Sequence, residues 1–158
     1  MRAPQAGALL LLTAGCATGP LSGTWTYDEV GVLEDTCGVF ENASLPSGEF
    51  FIYNEGGGSL VLDPDNASSI FECTLDKDTV ACPARVEESQ TQADTTLTFS
   101  IGLSGSFEDR ETLAGVQMGT LICEGAFCEE VEGSTNQDFP CTADVAFDAQ
   151  FVSETLPE

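Results

Sequence analysis

The sequence predicts an all-β protein in which eight antiparallel strands close into an up-and-down barrel or pack as a two-sheet sandwich, stapled by disulfides. Three observations point there: apolar and polar residues alternate with period two in short runs, Gly, Pro, Asn and Asp separate those runs, and six of the seven cysteines are spread through the body of the chain. With 158 residues, 42% of them apolar, the chain can build one hydrophobic core and does not read as a disordered acidic tail.

The runs place strands at about residues 21–29, 49–54, 58–63, 69–75, 79–86, 96–103, 112–123 and 142–151. Gly56-Gly57-Gly58 supplies the hairpin turn between the second and third. A two-residue turn at Lys77-Asp78 joins the fourth to the fifth and sets Cys73 opposite Cys82. Counting outward from the turn, that pair falls at a non-hydrogen-bonded site, where α-carbons approach to about 4.5 Å, within disulfide range. In the sixth strand Leu97, Phe99, Ile101 and Leu103 share one face; in the eighth Ala143, Val145, Phe147, Ala149 and Phe151 do the same. Helical periodicity nowhere exceeds two turns, with Asp138 to Cys141 the place for a single turn.

The first fifteen residues read as a signal peptide: Arg2, a short apolar run from Ala8 to Leu12, then Thr13, Ala14 and Gly15. The run is far shorter than the roughly 20 residues that span a bilayer. Leu11-Leu12-Thr13-Ala14-Gly15-Cys16 resembles the lipobox of bacterial lipoproteins, departing from it at Thr13, where an aliphatic residue is usual. The resemblance implies cleavage before Cys16 and a lipid on its sulfur, residues 16–20 as lipidated N-terminus and linker, and residues 21–158 as the β domain. The chain would then sit in the cell envelope, tethered to a membrane by acyl chains. By the same resemblance Ala17, a residue other than Asp after the cysteine, is compatible with outer-membrane sorting in a Gram-negative cell. An ordinary secretory signal is the alternative.

Giving Cys16 to lipid leaves Cys37, Cys73, Cys82, Cys123, Cys128 and Cys141, enough for three bridges in an oxidising compartment. With Cys73 joined to Cys82, three connectivities remain. Cys123 and Cys128 bracket Glu124-Gly125-Ala126-Phe127, a four-residue hairpin loop, which would leave Cys37 to pair with Cys141. No clustered C-x2-C pairs point to zinc or iron–sulfur.

Against 27 acidic residues stand 4 basic ones, a net charge of −23, and cleavage before Cys16 would leave 3 against 27, or −24. Such a surface repels phosphate backbones, so nucleic acid is not an expected partner. The absence of histidine removes Ser-His-Asp and Cys-His catalysis and His-ligated zinc. Two oxygen-rich turns, Asp63-Pro64-Asp65-Asn66 and Asp76-Lys77-Asp78, fail the calcium-loop spacing and read as solvated turns. Glu87, Glu88, Glu129 and Glu130 are the candidate carboxylates for glycoside cleavage, but neighbours in a strand point to opposite faces. No enzyme activity and no cofactor are expected.

Leu21-Ser22-Gly23-Thr24-Trp25-Thr26-Tyr27 resembles the Gly-x-Trp opening strand of lipocalins and avidin-like proteins, which implies that Trp25 plugs the closed end of a barrel. A late arginine packs across that tryptophan in lipocalins; Arg110 is the candidate here, at an unmatched position. The lipobox, the lone tryptophan strand, the Phe71-Glu72-Cys73 hairpin and Pro140-Cys141 together resemble small myxobacterial lipoproteins, a resemblance that implies an address and no particular activity. The expectation is a membrane-anchored extracytoplasmic module with a structural or protein-interaction role and a filled core. The alternative is a barrel that binds a small apolar ligand. If Cys16 carries the lipid, Cys16→Ser leaves an unprocessed precursor in the membrane fraction; a normally processed, released product would reject lipidation.

Overall fold

The computed structural model describes residues 19–41, 44–64 and 70–157; the leader, the lipobox and Cys16 lie outside the described residues. Eight strands form one closed antiparallel barrel, each pairing with its neighbours in chain order, so the two-sheet sandwich is not what forms. They are β1 (Gly23–Asp35), β2 (Glu49–Gly56), β3 (Ser59–Asp63), β4 (Phe71–Asp76), β5 (Thr79–Gln92), β6 (Thr95–Phe107), β7 (Thr112–Gly125) and β8 (Cys141–Ser153). The alternation places all eight, but stops short on β1 and β5, which run on to residues 35 and 92.

The reason is bulging. β1 pairs with β8 through three register shifts, and β5 pairs with β6 through two. Each shift breaks the period-two pattern while the ladder continues, and each bends the strand toward closure. β1–β8 pairing is the seam that removes both sheet edges.

The barrel has two unlike ends. The tight turns β2–β3, β4–β5 and β6–β7 lie at one end together with Gly19–Ser22, and they hydrogen-bond one another: Leu75 N–H to the Gly58 carbonyl (2.8 Å), Phe107 N–H to Asp78 (2.8 Å), Leu21 N–H to Arg110 (3.0 Å). This end is closed and filled. Trp25 is fully buried, its ring edge-on to Phe107 and Phe151 at 5.8 Å each, with its Nε1–H on the Leu21 carbonyl at 3.1 Å. Only glycine fits at position 23: a Cβ on Gly23 would lie 2.0 Å from the Ser153 carbonyl oxygen. With Trp25, the buried side chains of Ile52, Leu60, Val80, Leu103, Leu113 and Ala149 complete a packed floor.

At the open end sit the longer connections, and two disulfides pin them. Cys37–Cys141 ties the β1–β2 connection to the start of β8, closing a loop of 104 residues, worth about 4.7 kcal/mol on the chain-entropy model. Cys123–Cys128 joins the end of β7 to α1 (Cys128–Thr135). That corrects the expected hairpin loop: after Gly125 the chain turns into a helix, and β8 begins only at Cys141. It corrects the helical turn at 138–141 too, since the helix lies one stretch earlier. Glu129 and Glu130 sit in its first turn, where carboxylates favour the helix dipole, and Asn136 ends it in the left-handed conformation (φ 55°). The third bridge, Cys73–Cys82, lies inside the barrel wall, both cysteines buried and their α-carbons 4.1 Å apart, in the register the Lys77-Asp78 turn dictates.

Trp25→Ala removes the largest side chain of a floor that has no room to collapse. It is expected to cost about 3–5 kcal/mol, read as a lower urea midpoint with an unchanged slope; a loss under 1 kcal/mol would mean that the closed end does not depend on this ring.

Candidate functional site

Strand length creates the site. β1 and β5 to β8 are 13 or 14 residues long while β2, β3 and β4 have 8, 5 and 6, so one side of the barrel stands taller than the other. Core side chains fill the height that all eight strands share, and the taller wall has nothing of equal height facing it. The β1–β2 connection leans into this gap. Its start is held by the Asp35 carboxylate, which accepts the N–H groups of Val39 and Phe40 at 2.9 Å each. Between wall, floor and connection lies a cavity of about 460 Å³, within the range of small-molecule sites.

The cavity floor is Tyr27, its ring against Phe50 at 4.7 Å and edge-on to Phe147 at 5.4 Å. The Tyr27 hydroxyl accepts a hydrogen bond from Gln117 Nε2 at 3.1 Å. Burial pushes the Tyr27 phenol above its ordinary value, and the Gln117 bond pulls weakly the other way. The walls are apolar: Phe71, Phe99, Ile101, Ala143 and Val145. Phe99 and Ile101 belong to the face expected to be core, yet they are only half-buried, because they line space and not packing.

One charged pair stands in this wall, Arg85 and Glu87 of β5, with 20% and 17% of their side-chain surface exposed. Strict alternation from Cys82 would turn Ala84 and Val86 inward and Arg85 out. Instead Pro83 and Ala84 together oppose the single residue Gly102, since Cys82 pairs with Leu103 and Arg85 with Ile101. The bulge resets the facing: Val86 is 58% exposed and Arg85 points in. Glu87 is the extra residue of the second shift, between Val86 and Glu88. Proline inside a strand was the available signal, because it has no N–H for the ladder and belongs at a bulge or an edge.

The Arg85 guanidinium lies 3.5 Å above the Phe71 ring, and its Nε donates to Glu87 Oε1 at 2.5 Å. Its Nη1 is shielded from water and has no hydrogen-bond partner among the described residues. A buried donor left in that state costs about 1–3 kcal/mol. Arg85 is the sole basic side chain lining the cavity among the described residues.

The other sequence candidates lie elsewhere. Trp25 is at the closed end, but Arg110 does not pack across it: Arg110 is exposed in the β6–β7 turn, its Nε on the Gly19 carbonyl at 3.1 Å, and phenylalanines flank the tryptophan. Asp76, Lys77 and Asp78 form the tight β4–β5 turn at that same end. Asp65 and Asn66 lie outside the described residues. Of the four glutamates only Glu87 enters the cavity. Glu88 is exposed and accepts from Gln90, and Glu129 and Glu130 stand exposed on a helix, not on the strand that the dyad argument assumed. No group of three or more metal-binding side chains occurs among the described residues, and no helix there is long and apolar enough to cross a membrane.

Compared with models of known protein families, with curated proteins and with solved structures, the chain matches none.

The chain has two tyrosines, and Tyr53→Phe isolates the signal of Tyr27. In that variant phenolate absorbance is expected to rise above the ordinary value of about 10, and Gln117→Leu delays it further. Because the folded phenol holds its proton more tightly than the unfolded one, this group lowers stability as pH climbs from about 10 through the folded value. Ionisation at the ordinary value would place Tyr27 in contact with water.

Proposed function

We propose that this chain is a lipid-tethered, extracytoplasmic barrel that binds a small ligand in its open end. The observation that carries the reading is the 460 Å³ cavity: the barrel is packed at one end only, and side chains that alternation assigns to the core instead line a space. Rims that serve only as structure have no need of two disulfides and a leaning connection around a cavity, whereas a binding site needs rigid walls so that little order is lost on binding. This favours the ligand-binding alternative over a filled module with a purely structural role.

The tether fits the same reading. Gly19 lies at the closed end, three residues after Cys16, a span of at most about 10 Å. A lipid on Cys16 would hold the closed end toward the membrane and turn the cavity outward, toward ligand arriving from the aqueous side. Acyl chains supply the attachment, since the net charge of −23 offers nothing to an anionic headgroup.

The test is binding of the neutral apolar dye N-phenylnaphthylamine to the mature, disulfide-bonded chain. Saturable one-to-one binding with enhanced emission is expected, together with its loss in Ile101→Trp, whose larger ring fills the cavity while circular dichroism stays that of a barrel. Absence of saturable binding, or binding unaffected by Ile101→Trp, would reject the reading.

A further inference from the structure

We infer that the ligand is a neutral, mainly apolar molecule with a carbonyl-type acceptor oxygen, and that Arg85 is the residue that holds this oxygen. The inference rests on the ligand-binding reading above and adds the chemical class. Four features of the cavity combine to give it.

The walls of Phe71, Phe99, Ile101 and Val145 offer no hydrogen bond, so the body of the ligand must be apolar. Within those walls Arg85 keeps one donor, Nη1, without a partner. Glu87 holds the guanidinium through its Nε, which leaves Nη1 not engaged by the carboxylate. A second donor stands on the floor: the Tyr27 hydroxyl accepts from Gln117, which leaves its own proton to give, and burial keeps that proton in place at neutral pH. The unspent protons of Arg85 Nη1 and the Tyr27 hydroxyl are matched by a ligand that brings an acceptor.

Charge decides which acceptors. Arg85 is already neutralised by Glu87, so a carboxylate ligand would add a second anion beside Glu87 in a poorly solvated space, inside a protein of net charge −23. An ammonium ligand would meet the Arg85 cation and compete for the Glu87 oxygen that Arg85 occupies. A ketone, ester, amide or quinone oxygen accepts from Nη1 without bringing charge. The Arg85–Glu87 pair then works as an anchored donor: the carboxylate fixes the arginine, and the arginine selects the ligand.

Equilibrium dialysis of the mature, disulfide-bonded chain against four ligands of one shape tests this: acetylnaphthalene, ethylnaphthalene, naphthoate and aminomethylnaphthalene. Acetylnaphthalene is expected to bind about tenfold or more tighter than ethylnaphthalene, with naphthoate and the amine weaker still. Arg85→Met alone would strand the Glu87 carboxylate, so the variant is Arg85→Met with Glu87→Gln. It should bind the ketone no better than the alkyl compound. Arg85→Gln with Glu87→Gln, which restores an N–H donor without charge, should recover the preference for the ketone. Naphthoate or the amine binding tightest, equal binding of ketone and alkyl compound, or a ketone preference that survives the methionine variant would each overturn the inference. The wild-type ranking decides the ligand class even where a double variant does not fold. Failure of the dye and all four compounds to bind would instead bring down the ligand-binding reading itself.

Discussion

The pairing of β1 with β8 is the constraint on which the rest of the structure depends. Without it the sheet has two edges, the floor around Trp25 is open on one side, and the rim has no second wall. The pairing must join two thirteen-residue strands that approach around a curved surface, and it does so by slipping at three places, twice with the extra residue on β1 and once with it on β8. Each slip gives up a regular ladder position and gains curvature. Gly23 belongs to the same seam: it lets the first residue of β1 lie against the Ser153 carbonyl, and from there Trp25 reaches the centre of the closed end.

Closure also explains why a barrel with enough apolar residues for a full core is filled at one end alone. Eight strands enclose a width that packed side chains can fill, and they do so over the height shared by the short strands β2 to β4. Above that height the tall wall of β5 to β8 faces a connection instead of a strand, and Phe99 and Ile101 on its inner face are only half-buried. Disulfides take over where packing stops. Cys73–Cys82 reinforces the filled wall, while Cys37–Cys141 and Cys123–Cys128 pin the connections at the open end.

The charge of the molecule is arranged in the same two zones. Among the described residues most of the acids are exposed, where carboxylates keep their hydration. Asp144 shows the strain of that crowding: desolvation and the Glu34 carboxylate on the neighbouring strand raise its pKa above the usual range, against a Gly119 N–H that lowers it. Inside, the one carboxylate of the cavity is matched to the one guanidinium. Matched in this way, the pair adds no net charge to a largely apolar lining, unlike the acid-rich outer surface.

Period-two alternation, turn residues and cysteine parity are local properties, so the sequence by itself determined the all-β class, the eight strands, the hairpin turns and the register that brings Cys73 to Cys82. The face of a residue is local only while the alternation runs unbroken. Arg85 turns inward because Gly102, on another strand, lets Pro83 and Ala84 bulge against it, and that is a tertiary event which Pro83 hints at without fixing its direction. Helix α1 was hidden for a related reason: eight residues containing Gly133, Ser134 and Thr135 form no stable helix alone, and Cys128 bonded to Cys123 is what anchors its first turn. Barrel closure over sandwich packing, the unequal wall heights and the cavity with its Arg85–Glu87 pair came from the tertiary structure, because each depends on how long one strand is relative to those across the barrel and not on what any one segment prefers.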